Sequence, residues 1–426
     1  MRWVYPLASY LLFLLAFPLL ALHRKTRNGL RQRLGLYRPG EVPAGGAPRI
    51  WLHGASAGDL LALSPMVPAL RARFPDCRIF FTTTTNTGYL MATGRLGKLV
   101  DGAFRWPWDL PGATRRAMAG LAPDLLVLEY TEIWPNLLRA AREAGVAVAL
   151  TNGRFSPARL GQYRLLFRAV GNPLGDVDLL LMREEEEAER ALQLGAVPAR
   201  VRVTGNTKFD ALAAQPPLAD GGLRAALGLR EGEPAWICGS THEGEEELLL
   251  DVFLQLRRDF PALRLVIAPR YIDRAPRVVA LADQAGLEAG LRSRGTGQGK
   301  AVVVLDTIGE LPQVYGLATL VFVGGSFTHR GGQNILEPAG QGRPVLFGPH
   351  MDNFRDSVQV LVGRGGIQVN DAVHLYKVMH ELLSRPDKLA ELGTLASTAV
   401  RQVSGASGRN VEAMAELLAA RRGRRP

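Results

Sequence analysis

Short apolar runs alternate with two-sided, helix-like segments along most of this chain. In the first half the runs fall at 50–52, 79–83, 125–128, 146–150, 179–182 and 201–203. In the second they fall at 236–238, 263–268, 301–305, 319–323 and 344–347. Strands that read as unbroken apolar runs belong in parallel sheets covered by helices on both faces. An Ala-, Pro- and Gly-rich stretch at 211–222 separates the two series. The pattern predicts an α/β protein of two doubly wound domains, 39–210 and 223–426, with 211–222 as the linker. Ligands bind at the carboxyl ends of such strands, so the domains are expected to face each other across a cleft. The closing helices, at about 372–422, are polar on one side, and the last could cross back to the first domain.

The amino terminus breaks this rhythm. Residues 3–22 carry no charge and are about long enough to cross a bilayer, although Pro6 and Pro18 interrupt them. Arg24, Lys25, Arg27, Arg31, Arg33 and Arg38 follow, with no acidic residue before Glu41. Basic residues that follow the apolar core, rather than precede it, argue for an uncleaved anchor with the rest of the chain on the cytoplasmic side. Residues 1–38 are therefore expected to form a membrane anchor and a basic juxtamembrane segment, single-pass or, as second choice, monotopic.

Composition narrows the partners. Apolar residues make up 47% and charged residues 21% of 426, as in an ordinary globular protein. The net charge of +11 favours phosphate-bearing partners or a membrane surface. Nucleic acid is excluded: aromatics are only 7%, and no basic helix with interleaved aromatics occurs. Cys77 and Cys238 lie far apart in apolar runs, which excludes a disulfide framework. The seven histidines are dispersed, so no metal and no cofactor is expected, and Asp176-Val177-Asp178 reads as structural.

Candidate chemistry sits where strands end in glycine or acid. Residues 322–356 hold Gly324-Gly325, Ser326 and Gly331-Gly332, then a helix-like segment with Asn334 and Glu337, then a second loop at 350–356. Glycine loops at a helix start expose backbone N–H groups to phosphate, and Glu337 could accept from ribose hydroxyls. In the first half, His53-Gly54-Ala55-Ser56-Ala57-Gly58-Asp59 ends a strand; Asp59 is either a general base or a helix N-cap. Glu129 and Glu132 follow another strand and suit acid/base work, while Lys208 lies at the cleft edge. In the second half, Ser240 stands three residues before Glu243, the spacing of a capping box, ahead of an acidic run read as a solvated face. Arg270 could hold phosphate or stack on a base. Residues 306–311, with Gly309, form a turn into a helix.

These blocks together resemble the 3-deoxy-D-manno-octulosonic acid (Kdo) transferases. The resemblance rests on the 53–59 turn, Glu-x-x-Glu-x-Trp-Pro-Asn at 129–136, Gly-Asn-x-Lys-Phe-Asp at 205–210, Ser-Thr-His-x-Gly-Glu-Glu at 240–246, Ala-Pro-Arg at 268–270, Gly-Glu-Leu at 309–311 and the 322–356 segment. It implies a membrane-anchored GT-B glycosyltransferase that moves Kdo, with inversion and without metal, from CMP-Kdo to a lipid A precursor. It makes Asp59 the base, with Glu129 and Glu132 beside it and His53, Ser56, Gly58 and Lys208 toward the acceptor. Ser240, Thr241, His242, Arg270, Gly309, Gly325, Ser326, Asn334 and Glu337 would surround CMP. This chain departs from the family pattern at Asp59, where Glu is usual, and at Tyr271 and Gln333, where His is usual. Those departures leave two alternatives: a GT-B transferase for another activated sugar, or a non-catalytic paralogue that binds lipid or nucleotide.

Overall fold

In a computed structural model, residues 4–22, 29–213 and 221–422 are described. Arg24, Lys25 and Arg27, most of the expected linker, and Arg424 and Arg425 lie outside them. The chain divides into two compact units. One combines Met1–Ala211 with Ser404–Pro426, and the other is Leu212–Val403.

The N-terminal unit is built on seven parallel strands: β1 (Arg49–His53), β2 (Arg78–Thr83), β3 (Gly102–Arg105), β4 (Leu125–Glu129), β5 (Ala147–Gly153), β6 (Leu179–Met182) and β7 (Val201–Val203). Their order is β3-β2-β1-β4-β5-β6-β7. Winding reverses between β1 and β4, which makes their carboxyl ends a topological switch point. Side chains alternate between two covered faces: Trp51, Phe80 and Leu126 pack on one, and Ile50, Phe81 and Val127 on the other. The terminal helix Ala406–Arg422 completes the second face with Val411, Met414 and Leu418. Asp210 pins that helix, accepting from Gly405 N at 2.5 Å and Ser407 N at 2.6 Å. Asp176 pairs with Arg142, and Asp178 with Arg421.

The second unit repeats the plan with β8 (Ala235–Thr241), β9 (Arg264–Pro269), β10 (Ala289–Leu291), β11 (Val302–Val304), β12 (Leu320–Val323), β13 (Val345–Phe347) and β14 (Gly366–Gln368). The order is β10-β11-β9-β8-β12-β13-β14, with the switch point between β8 and β12. Every apolar run of the sequence became a strand. β3, β10 and β14 did not announce themselves: each has three or four residues, includes a glycine and lies at a sheet edge, where continuous burial is not required. Both cysteines are free and buried.

The apolar N-terminus forms helix α1 (Val4–Leu22). Among the described residues no helix is long and apolar enough to cross a membrane. One flank of α1 is already occupied by protein. Tyr5 donates to Asp109 at 2.9 Å, Tyr10 accepts from Gly112 N at 2.9 Å, and Ser9 accepts from Asn136 at 3.1 Å. Phe13 lies 4.9 Å from the Trp108 ring. The other flank holds Leu7, Leu11, Leu12, Leu14 and Leu15, each more than half exposed.

Candidate active site

At the first switch point, β1, β4 and the turns that follow them bring Asp59 within reach of the charges of His53 and Glu129, and Glu132 within reach of His53. β1 ends at His53, and the chain turns through Gly54 into helix Ala57–Leu63. A Cβ on Gly54 would sit 2.9 Å from the Asp59 Cβ, so only glycine lets the turn fold this tightly. Ser56, not Asp59, is the N-cap; Asp59 is the third helical residue of a capping box. Its Oδ2 accepts from Ser56 N at 2.8 Å, and its N–H donates to Ser56 Oγ at 3.4 Å. Oδ1 has no hydrogen bond among the described residues. Gly58 is exposed, and a Cβ there would meet only Ser56 Oγ at 3.7 Å.

Glu129 closes β4 and is fully buried. Its two oxygens accept from Thr151 Oγ1 at 2.6 Å and Asn152 Nδ2 at 2.5 Å. Burial pushes its carboxyl up to about 8 despite those bonds, and the Asp59 charge adds to the rise. A chain of hydrogen bonds ties this group to the helix bearing Asp59: Asn152 donates to Thr207 Oγ1 at 2.6 Å, and Thr207 donates to Ala62 O at 2.7 Å. The next residue, Tyr130, and Asn152 both adopt positive φ, 56° and 50°. Non-glycine residues held there store about 1–3 kcal/mol each, typically where a site demands it.

Glu132 meets His53 Nε2 at 3.5 Å and accepts from Trp134 Nε1 at 2.8 Å. Burial works to raise its carboxyl, yet His53 and Trp134 outweigh that and the net direction is down. His53 is fully buried, and burial holds it below the ordinary imidazole value. His53 Nδ1 lies 3.1 Å from both the Thr82 carbonyl O and Thr82 Oγ1, and Trp51 donates to the same Oγ1 at 2.7 Å. Trp106 stacks on the ring at 3.3 Å. Lys208 lies half-buried in helix Thr207–Leu212, its N–H on Asn206 Oδ1 at 3.0 Å. Around it, the Gly-Asn-x-Lys-Phe-Asp block is mostly scaffold, through Thr207 and Asp210.

In the second unit the glycine loop does not offer its amides outward. Glu245, fully buried, accepts from Gly325 N at 2.7 Å, Ser326 N at 3.0 Å, Phe327 N at 2.9 Å and His242 N at 2.9 Å. The carboxylate fills the concavity that phosphate was expected to occupy. Ser326 Oγ is also used, donating to Val323 O at 2.6 Å and accepting from Gly348 N at 2.9 Å. The acidic run is accordingly not a solvated face: Glu245 and Glu246 are fully buried, while Glu243 and Glu247 are exposed. Glu246 binds Arg274 at 3.0 Å and Thr241 Oγ1 at 3.2 Å, which occupies Thr241. Nor does Ser240 cap the helix Glu245–Asp259, whose N-cap is Gly244. Ser240 instead lies within β8, one residue before its end, at φ 57°. Asn334 donates to Leu212 O at 2.8 Å and accepts from Leu336 N, so it fixes the chain.

Four groups remain turned to ligand chemistry. His242 Nε2 is buried without a hydrogen bond among the described residues, and its ring meets Tyr271 edge-on at 5.7 Å. Burial, reinforced by Arg330, Arg270 and Arg274, holds His242 below its usual pKa. Arg270 is exposed, 5.9 Å from the Tyr271 ring, and Tyr271 is 58% exposed. Glu337 is half-buried, and burial alone raises it to about 7. Gly309 has φ 90° in an open turn.

Sequence reasoning missed Glu245, Asn152 and Thr207. For Glu245 a signal was present: with Leu249, Val252 and Leu256 it follows the helical period that marks the buried face. For Asn152 and Thr207 none was local, because their partners are 23 to 145 residues away.

Two doubly wound parallel sheets, each with candidate side chains near its switch point, define the two-domain α/β architecture of the GT-B class. The fold alone is shared with a UDP-GlcNAc 2-epimerase from Neisseria meningitidis bound to UDP-GlcNAc, at TM-score 0.57 and 13% identity over 86% of this chain and 100% of that one. The 3-Deoxy-D-manno-octulosonic-acid transferase (kdotransferase) family model matches residues 28–211. A 3-deoxy-D-manno-octulosonic acid transferase from Bordetella pertussis is 34% identical over 392 residues, 88% of this chain and 89% of that protein. One from Chlamydophila psittaci is 32% identical over 86% of this chain and 84% of its own. The chain belongs to the 3-deoxy-D-manno-octulosonic acid transferase family and is a glycosyltransferase.

Proposed function

We propose that this protein transfers Kdo from CMP-Kdo to a lipid A precursor in lipopolysaccharide biosynthesis, the N-terminal unit holding the acceptor and the second unit the CMP. The observation that carries this reading is the 34% identity to a Kdo transferase across 88% of the chain. Asp59 is the base. Its Oδ2 is held by the capping box, so Oδ1 can take the proton of the acceptor hydroxyl as that oxygen attacks the anomeric carbon of Kdo. The bond from that carbon to the cytidylate phosphate oxygen breaks, and CMP leaves with the electron pair. Glu129, protonated near neutral pH, keeps a second negative charge from crowding Asp59. Arg270 faces the departing phosphate, and Glu337 takes the ribose hydroxyls. The exposed leucines of α1 and the exposed Arg31 and Arg38 after it seat the protein monotopically on the cytoplasmic face of the inner membrane.

Purified protein given CMP-Kdo and a tetraacylated lipid A precursor should yield a more slowly migrating lipid. Absence of product across pH and enzyme concentration refutes the reading. Turnover with a UDP- or GDP-sugar instead points to the alternative donor.

A further inference from the structure

Beside the His53–Glu132 pair the N-terminal unit holds a cavity of about 580 Å³ whose walls include Arg33, Thr84, Asn86, Trp106, Trp108 and Trp134. Trp106 and Trp134 are the residues that stack on His53 and donate to Glu132, so the cavity shares walls with the proposed catalytic centre. Its polar atoms are unspent. Arg33 Nε, Thr84 Oγ1, Asn86 Oδ1 and Trp106 Nε1 are all buried, with no hydrogen bond among the described residues.

The charge balance is equally one-sided. Arg33 is only 4% exposed and Arg105, beside it, 6%; Arg33 donates to Thr84 O at 2.9 Å and Arg105 to Thr85 O at 3.2 Å. Neither has a carboxylate partner among the described residues. Burial lowers the Arg33 pKa, and the Arg105 charge lowers it further. The one acid on the cavity wall, Asp109, is taken by Tyr5, Asn136 N and Leu137 N. A buried cation without a counterion is strongly unfavourable unless a ligand supplies the anion. The helix Asn86–Thr93 also begins at this wall, with its N-terminus facing the same space. Trp108 contacts Phe13 on the protein-facing flank of α1, so the cavity adjoins that helix.

We propose that this cavity is a phosphomonoester subsite for the acceptor headgroup, with the phosphate against Arg33 and the start of helix Asn86–Thr93 and a sugar ring against the tryptophans. The assignment rests on the transferase reading above and adds the group by which the acceptor is selected. Arg33 is here a specificity residue, not a catalytic one.

The test compares a tetraacylated precursor before and after removal of its phosphomonoesters, for the wild type, Arg33→Gln and Arg33→Lys. The wild type should show a KM about ten- to a hundredfold lower for the phosphorylated acceptor. Arg33→Gln should erase that preference while kcat and the KM for the dephosphorylated acceptor stay within about twofold, and Arg33→Lys should fall between, since it keeps a point charge but loses the fork. Equal loss on both acceptors, or none, overturns the proposal. So does a parallel loss of binding to vesicles of anionic phospholipid, which would assign Arg33 to the membrane. Separately, millimolar inorganic phosphate should raise the Tm of the wild type but not of Arg33→Gln. If no acceptor is turned over, the transferase reading fails, yet this shift still decides the anion site; its absence overturns it, as does misfolding of both variants without an anion-dependent Tm in the wild type.

Discussion

The Glu245 carboxylate accepts from the Gly325 N–H at 2.7 Å, across 80 residues of sequence, and so fixes the glycine loop that follows β12 to the start of the helix after β8. The loop is rigid because an internal anion occupies it. Glu245→Ala removes the acceptor from four N–H groups and should destabilise the second unit by on the order of 4 kcal/mol. Hydrogen exchange at the Gly325, Ser326 and Phe327 amides should then lose its protection. Retained protection would mean that the loop holds itself.

Asp59 offers a clean separation of structure from chemistry. Asn can still accept from Ser56 N, so Asp59→Asn should leave Tm within a few degrees while lowering kcat by roughly 10²–10⁴ through loss of the base. Asp59→Ala should lose both, with the missing cap costing about 1 kcal/mol. Normal turnover by either variant would remove Asp59 from the reaction.

For Glu129 the sign follows from its raised pKa. Unfolded, the carboxyl loses its proton near the ordinary value of 4.5; folded, it does so near 8. Between those values the unfolded state binds fewer protons, so this group makes stability fall as pH rises, with no penalty below 4.5 and the full penalty above 8. The Tm of the wild type should therefore decline across that window relative to Glu129→Gln. Parallel profiles would show that the buried carboxyl is ionised throughout.

Asp210→Ala should detach the terminal helix at its first turn, because the Gly405 and Ser407 amides lose their acceptor. A loss of about 1–2 kcal/mol is expected, as for other capping carboxylates. Limited proteolysis should then cut ahead of Ala406 several-fold faster than in the wild type.

Much of this architecture is written locally. β4 is apolar until Glu129, so both the strand and the position of its acid were legible from a five-residue window. The capping box at Ser56 and Asp59 has a short-range signature too, although the sequence suggested Asp59 as the N-cap or the base, and it is Ser56 that caps. The failures are long-range. Glycine pairs do mark a loop with converging amides, yet whether the anion there comes from ligand or from Glu245 depends on a contact that no window contains. The same holds for Thr207, whose hydroxyl reaches Ala62 O and Asn152. At α1, hydropathy reported the leucine flank but not the hydrogen bonds of Tyr5, Ser9 and Tyr10 that bind the opposite flank to protein.

The placement of helix Ala406–Arg422 on the first sheet also sets the order in which the chain can mature on the ribosome. Leu212–Val403 is continuous, so the second unit has all its residues before synthesis ends. The N-terminal unit, made first, keeps one face of its core open until Val411, Met414 and Leu418 have emerged. A nascent chain stalled before Ser404 thus has every residue of the second unit synthesised while the first sheet still lacks the helix that covers one of its faces.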